Sequence, residues 1–221
     1  MLVDLSHTIR AGLVTYPGLP APSISDHLTR AASRDVYAPG TEFAIGAITM
    51  VGNTGTYLDS PFHRYEDGAD LAGLDLNTLV DLPTIVVHRR DVTTRAVDAA
   101  ELPDDIEAGC AVLIDTGWDR HFGTEAYAVD APFLSEAAAE LLVSRGVALV
   151  GIDSVNIDDA GPAAAGRRPI HTVLLGNGIH VVEHLTNLAA LPARGARFTA
   201  VPPRIEGFGT FPVRAYATIP D

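Results

Sequence analysis

The run Asn53-Thr54-Gly55-Thr56-Tyr57-Leu58-Asp59-Ser60-Pro61-Phe62-His63 gathers an amide, a phenol, a carboxylate and an imidazole directly after an apolar stretch. On an extended backbone alternate side chains share a face, which puts Tyr57 beside Asp59. Pro61 then turns the chain and can bring His63 back toward Asp59. A carboxylate beside an imidazole fixes its tautomer and keeps the ring protonatable near neutrality, as general acid–base chemistry requires. The same run also reads as a polar turn in which Asp59 caps and His63 meets solvent. A second pair, His171 and Glu183, lies across the turn Gly176-Asn177-Gly178. These two meet only if the chain doubles back, which the glycines permit. Glu183 sits within Ile179-His180-Val181-Val182-Glu183-His184-Leu185. A carboxylate in that setting needs a cation, a metal or donors, unless it faces water on an amphipathic strand.

Other motifs exclude more than they suggest. His180-Val181-Val182-Glu183-His184 spells the H-x-x-E-H pattern of certain zinc proteases, which works only on a helix. The β-branched neighbours favour a strand, with His180 and His184 on the face opposite Glu183, so the protease reading is rejected. No G-x-S-x-G elbow and no G-x-G-x-x-G fingerprint occur. All 15 basic residues are arginine, which removes Schiff-base chemistry and the phosphate-loop lysine. Cys110 opens an apolar strand and reads as an inert buried thiol.

The elements that must carry these groups are mostly strands. Phe43 to Val51, Thr84 to His88, Ala111 to Thr116, Val147 to Ile152, Ile179 to Val182 and Val213 to Thr218 read as strands. Glu136 to Arg145 reads as a helix capped by Ser135 and closed by Gly146, and Ile170 to Leu175 as a short helical piece. At least one strand–helix–strand unit is present, so the expected class is mixed α/β, of the α+β kind. The stretch Asp158 to Pro169 reads as a mobile surface loop.

The 221 residues suit one domain spanning 1–221. A net charge of −13 makes nucleic acid and anionic membrane surfaces poor partners. The start has no basic region followed by an apolar run, and no apolar stretch is long enough to span a bilayer. A cytoplasmic protein is the expectation, and its single cysteine can form no intrachain disulfide.

Taken in order, Asp4-Leu5-Ser6, Tyr16-Pro17-Gly18, Gly55-Thr56-x-x-Asp59-x-Pro61-x-His63, Thr116-Gly117-Trp118, Gly151-Ile152-Asp153, His171 and Glu183 resemble the cyclase family that includes bacterial kynurenine formamidase and isatin hydrolase. The resemblance covers most of the chain. It implies a swivelling β/β/α-type domain with a central mixed sheet, assembled as a homodimer or homotetramer. It also implies metal-dependent hydrolysis of a small amide, such as an aryl formamide or cyclic amide. The family motif is H-x-G-T-H-x-D-x-P-x-H, and here its first two histidines are Asn53 and Tyr57. In the family those histidines and the aspartate hold a divalent metal, and the last histidine is the acid–base catalyst. Asp59, His63, His171 and Glu183 therefore carry over, while two of three ligands of the main metal site are lost.

Three readings follow from that resemblance. In the first, one Zn or Mn is held by Asp59, His171 and Glu183, with His63 relaying protons and Tyr57 donating to the developing oxyanion. In the second no metal binds, and His63 and His171, oriented by Asp59 and Glu183, catalyse a cyclisation, elimination or lactone opening, with Tyr57 and Asn53 polarising a carbonyl. In the third the protein only binds a small molecule. Four converging titratable groups speak for an enzyme. Asn53, Tyr16, Phe43, Phe62 and Trp118 are the expected substrate-binding residues, and Arg167-Arg168 reads either as a contact for an acidic substrate group or, as is commoner for such a pair, as solvated charges.

Overall fold

Five consecutive residues, Ala111 to Asp115, are all buried, and their side chains alternate between two cores. Val112 and Ile114 join a cluster with Val150, Ile152, Leu142 and Leu174. Ala111 and Leu113 join another with Leu58, Leu149, Val182 and Phe198. A strand covered on both faces carries a continuous apolar run, which is what makes this segment legible.

The computed structural model describes residues 1–90 and 92–220. In chain order the elements are β1 (Leu2–Asp4), β2 (Ser23–Leu28), α1 (Arg30–Ser33), β3 (Ile45–Thr49), β4 (Tyr57–Asp59), β5 (Leu82–His88), β6 (Ala96–Val97), β7 (Ala111–Asp115), β8 (Phe133–Leu134), α2 (Glu136–Ser144), β9 (Leu149–Ile152), α3 (Pro169–Gly176), β10 (His180–Glu183), β11 (Arg194–Thr199), β12 (Thr210–Pro212) and β13 (Tyr216–Thr218). Nine strands form one mixed sheet in the order β1-β13-β11-β5-β7-β9-β10-β4-β12. Its centre, β5, β7, β9 and β10, is parallel, and its flanks are antiparallel.

The sheet has to curl. β12 lies at one edge and β13 next to the other, yet only Val213, Arg214 and Ala215 join them. In a flat sheet those strands would stand roughly 34 Å apart at ~4.8 Å per strand, while the connection reaches about 14 Å. The β1–β13 ladder runs on through Leu5, whose N donates to Ala215 O at 2.9 Å, and the curl then pairs Ser6 with Leu185 beyond β10. The apolar interior holds Phe198, Leu58 and Leu113, and α2 and α3 cover the other face. Each of these helices joins two parallel neighbours, β7 to β9 and β9 to β10. The mixed α+β class with one central sheet is as expected.

Differences from the expected elements are local. The strand expected over 43–51 is the shorter β3, which pairs with β2 in a separate two-stranded ribbon. β1, β4, β11 and β12 carry too few residues, or too polar a run, to stand out by periodicity. The helix at 136 is capped as expected, with Ser135 Oγ accepting from Ala138 N at 3.1 Å and Gly146 at φ 67°. The stretch 158–169 is not simply a surface loop, because Asp158 is buried at its start. Thr116-Gly117 and Asp153 meet as a clamp: the Asp153 carboxylate accepts from Thr116 N at 2.9 Å, Thr116 Oγ1 at 2.5 Å and Gly117 N at 2.7 Å. Among the described residues no helix is long and apolar enough to cross a membrane.

Candidate metal and acid–base site

β4 runs between β10 and β12, and the register sets the site. Tyr57 stands opposite Glu183, while Asp59 stands opposite Val181 on one side and Thr210 on the other. Directly opposed residues share a face, so Tyr57, Asp59, Glu183 and Thr210 all project toward the side that α3 covers. α3 begins at Pro169, whose missing N–H costs nothing at a first helical position. The free amides of that first turn go to Asp158, whose carboxylate accepts from Ile170 N at 2.7 Å and His171 N at 3.1 Å. The same carboxylate lies 2.5 Å from His171 Nδ1. It thereby fixes the ring with Nε2 facing the sheet, the arrangement by which a carboxylate orients a metal-binding histidine.

Nε2 of His171 is 3.5 Å from Asp59 Oδ2 and 3.7 Å from Glu183 Oε1. His63, at the end of the turn Pro61–His63, places Nδ1 3.7 Å from Asp59 Oδ1, and Thr210 Oγ1 bridges the two, 2.7 Å from His63 Nδ1. The expected return of His63 toward Asp59 after Pro61 is therefore present. Glu183 is held from both sides: Ile157 N donates to Oε1 at 2.6 Å and Tyr57 Oη donates to Oε2 at 2.6 Å. Of the two residues standing where the family motif has histidines, Tyr57 bonds to Glu183 and Asn53 lines the same cleft.

Charge in this pocket is unbalanced. Asp59, Asp158 and Glu183 surround one imidazole, and all four side chains are buried. Burial alone would lower His171, but its hydrogen bond to Asp158 and the Asp59 and Glu183 carboxylates facing its Nε2 carry it up to about 10. Burial pushes the Glu183 carboxyl up to about 7, partly offset by His171. Burial also raises Asp59, yet the facing His171 ring, the charge of His63 and the Thr210 hydroxyl outweigh it and hold Asp59 below the usual carboxylate range. Desolvation and the facing Glu183 push the Tyr57 phenol well above its ordinary value, so it stays a hydrogen-bond donor. The pocket demands positive charge at His171 Nε2, which a proton or a metal ion can supply.

The donors fit a divalent ion. Ligand atoms of Asp59, His63 and His171 all lie within 4.8 Å of one another. Asp59 Oδ2 is buried with no hydrogen-bond partner, an expense a bound cation removes. A mixed oxygen and imidazole set suits Zn or Mn. Glu183 faces the same space from outside that close trio.

Of the expected substrate-binding residues, Asn53 lines the cleft and Phe62 lines the adjoining groove. Tyr16 reaches the rim, 3.4 Å from Arg168 Nη2. Phe43 is not at the cleft: it is exposed beside the β2–β3 ribbon, edge-on to Tyr37. Nor is Trp118, which the Gly117 turn directs onto Tyr127 and Phe122, its Nε1 donating to Tyr127 O at 2.8 Å. His180 does face away from Glu183 and meets Thr78 Oγ1 at 2.9 Å. His184 does not, because its φ of 57° ends the strand and returns the ring to Tyr57 Oη, 3.3 Å from Nε2. Asp158, Thr210 and Asn156 were not foreseen. Asp158 lies eleven residues before Pro169, too far for a local capping signal, and Thr210 had none.

The Cyclase family model, described as "Putative cyclase", matches residues 3–159. A kynurenine formamidase of Geobacillus thermodenitrificans is 29% identical over 200 residues, covering 86% of this chain and 88% of its own. An isatin hydrolase of Roseibium aggregatum is 28% identical over 204 residues, covering 82% and 77%. An isatin hydrolase crystallised with the product analogue thioisatinate superposes with a TM-score of 0.84 at 25% identity, covering 100% of this chain and 92% of that one. With more than half of its length matched by the family model and its sheet shared with these structures, the chain belongs to the cyclase family.

Proposed function

We propose that this protein hydrolyses the C–N bond of a small amide, an aryl formamide or a cyclic amide, with one divalent ion bound. The observation that carries the reading is the close trio of Asp59, His63 and His171 around a buried, unpartnered carboxylate oxygen. The relatives named kynurenine formamidase and isatin hydrolase support the amide substrate class. Asp59, His171 and His63 would hold the ion, which when bound acidifies water and polarises a carbonyl. This assigns His63 as a ligand, where the sequence reading had it relay protons. Glu183 Oε1, facing the same space, accepts the proton of the attacking water. Tyr57 Oη and Ile157 N keep that carboxylate aimed. Asp158 holds His171 in one tautomer. Asn53 and Asn156 at the cleft wall orient the amide carbonyl.

A second, metal-independent reading has one observation in its favour. Asn53 and Tyr57 occupy the two lost ligand positions, and Tyr57 is hydrogen-bonded to Glu183. His63 and His171, with ring centroids 5.9 Å apart, would then be the acid–base pair. Assembly with further copies of the chain is part of the proposal. The β2–β3 ribbon exposes Ile24, Ile45 and Ile48, and an isolated two-stranded ribbon is marginal in water.

The test is hydrolysis of N-formylkynurenine, formanilide and isatin by protein stripped with chelator and then reloaded with Zn or Mn. Turnover restored by metal supports the first reading. Turnover indifferent to chelator contradicts the bound ion, and no turnover on any amide contradicts the first reading; turnover of a lactone by the chelator-stripped protein supports the second.

A further inference from the structure

The chain has a surplus of carboxylates, yet the mouth of its cleft carries two arginines without one. Seven other arginines form ion pairs with Asp or Glu. Arg64 and Arg168 line the cleft and, among the described residues, neither has a carboxylate partner. Arg168 is half-buried, with Nη1 donating to Arg167 O at 2.9 Å and Nη2 3.4 Å from Tyr16 Oη. Arg64 is exposed, its Nε 3.4 Å from Thr172 Oγ1. Both keep guanidinium donors free at the opening.

We propose that Arg168, assisted by Arg64, is an anion-recognition rim, and that the substrate is a small amide carrying a carboxylate. The inference deepens the amide-hydrolase reading and rests on it for the word amide. Guanidinium forks match carboxylates in two-point hydrogen bonding, which neither asparagine at the cleft wall can do. Asp59, Asp158 and Glu183 at the floor offset the charge of the ion held there, so the two rim arginines carry the positive charge left uncompensated in the cleft. Charge therefore orients the substrate, with its carboxylate at the rim and its amide inward. Size agrees. The cleft encloses about 120 Å³, the share of only about four waters at ~30 Å³ each. An amide end fits there and the rest must cross the rim, toward a groove of about 500 Å³ lined in part by Phe62 and Phe208.

The probes are N-formylanthranilate and its methyl ester, which share one formamide and differ only in the carboxylate. Metal-loaded protein is expected to prefer the acid in kcat/KM. Arg168→Gln should cut that preference about tenfold, as loss of a charge-assisted bond implies, and Arg168→Lys should restore part of it. Arg64→Gln, at an exposed site, should lower it by a smaller factor and keeps the test alive if Arg168→Gln misfolds. Arg145→Gln, remote from the cleft, should leave it unchanged. Calorimetric binding of anthranilate against methyl anthranilate, repeated in rising salt, reads the rim without turnover. An acid preference that survives both glutamine variants, or equal binding of anthranilate and its ester, overturns the proposal. If neither these formamides nor the amides named above are hydrolysed, the hydrolase reading fails, and the anthranilate measurement still decides the rim.

Discussion

Replacing Asp158 by asparagine isolates the residue that orients His171 without touching the ligand set. The carboxylate takes three donors at once, Ile170 N, His171 N and His171 Nδ1. An asparagine has one oxygen for them and turns an amide N–H toward the remainder. The bond to Nδ1 is charge-assisted, so its loss costs about 1.5–3 kcal/mol. In metal affinity an orienting partner of this kind is worth about 10–100-fold, or roughly 1.4–2.8 kcal/mol. Asp158→Asn should therefore weaken Zn binding by that factor in a competition titration against a fluorescent chelator. Far-ultraviolet circular dichroism should stay unchanged, because Pro169 still starts α3. A Zn affinity within threefold of the parent would refute the argument, since His171 would then need no carboxylate to present Nε2.

Tyr57→Phe leaves Glu183 Oε2 buried without its donor, and should lower both kcat/KM by about tenfold or more and stability by about 1–3 kcal/mol. Burial holds His180 down to about 4, so it folds neutral while the unfolded chain protonates near 6.5. The unfolded state binds more protons in that window, so stability is full above pH 6.5 and falls toward pH 4, by about 3 kcal/mol for this group. Urea melts across pH 4–7 should show the loss, reduced in His180→Gln. Leu142→Ala empties a fully buried position between α2 and the sheet and should cost about 2–5 kcal/mol in denaturant melts, with bound metal per folded chain unaltered.

What the sequence discloses here follows range. Ala111–Asp115 and Glu136–Ser144 are legible because their apolar period and caps are local. Asp59 and His63 are legible together because one proline turn joins them. The facing of Tyr57 on Glu183 is set by pairing between strands 126 residues apart, which no window of sequence contains. Resemblance to a family, not periodicity, brought His171 and Glu183 to Asp59. Phe43 and Trp118 show the limit of residue type: an aromatic side chain names a surface, and only the turn at Gly117 or the ribbon at β3 decides which surface it serves. His184 was misplaced because alternation assumes the strand continues, and its positive φ ends it.

The most direct test of the account is metal content. Purified protein, reloaded with Zn or Mn and freed of excess, should hold about one ion per chain by elemental analysis, and Asp59→Ala and His171→Ala should each hold almost none while remaining folded. A wild-type protein that retains no ion, or variants that retain the wild-type amount, would contradict it.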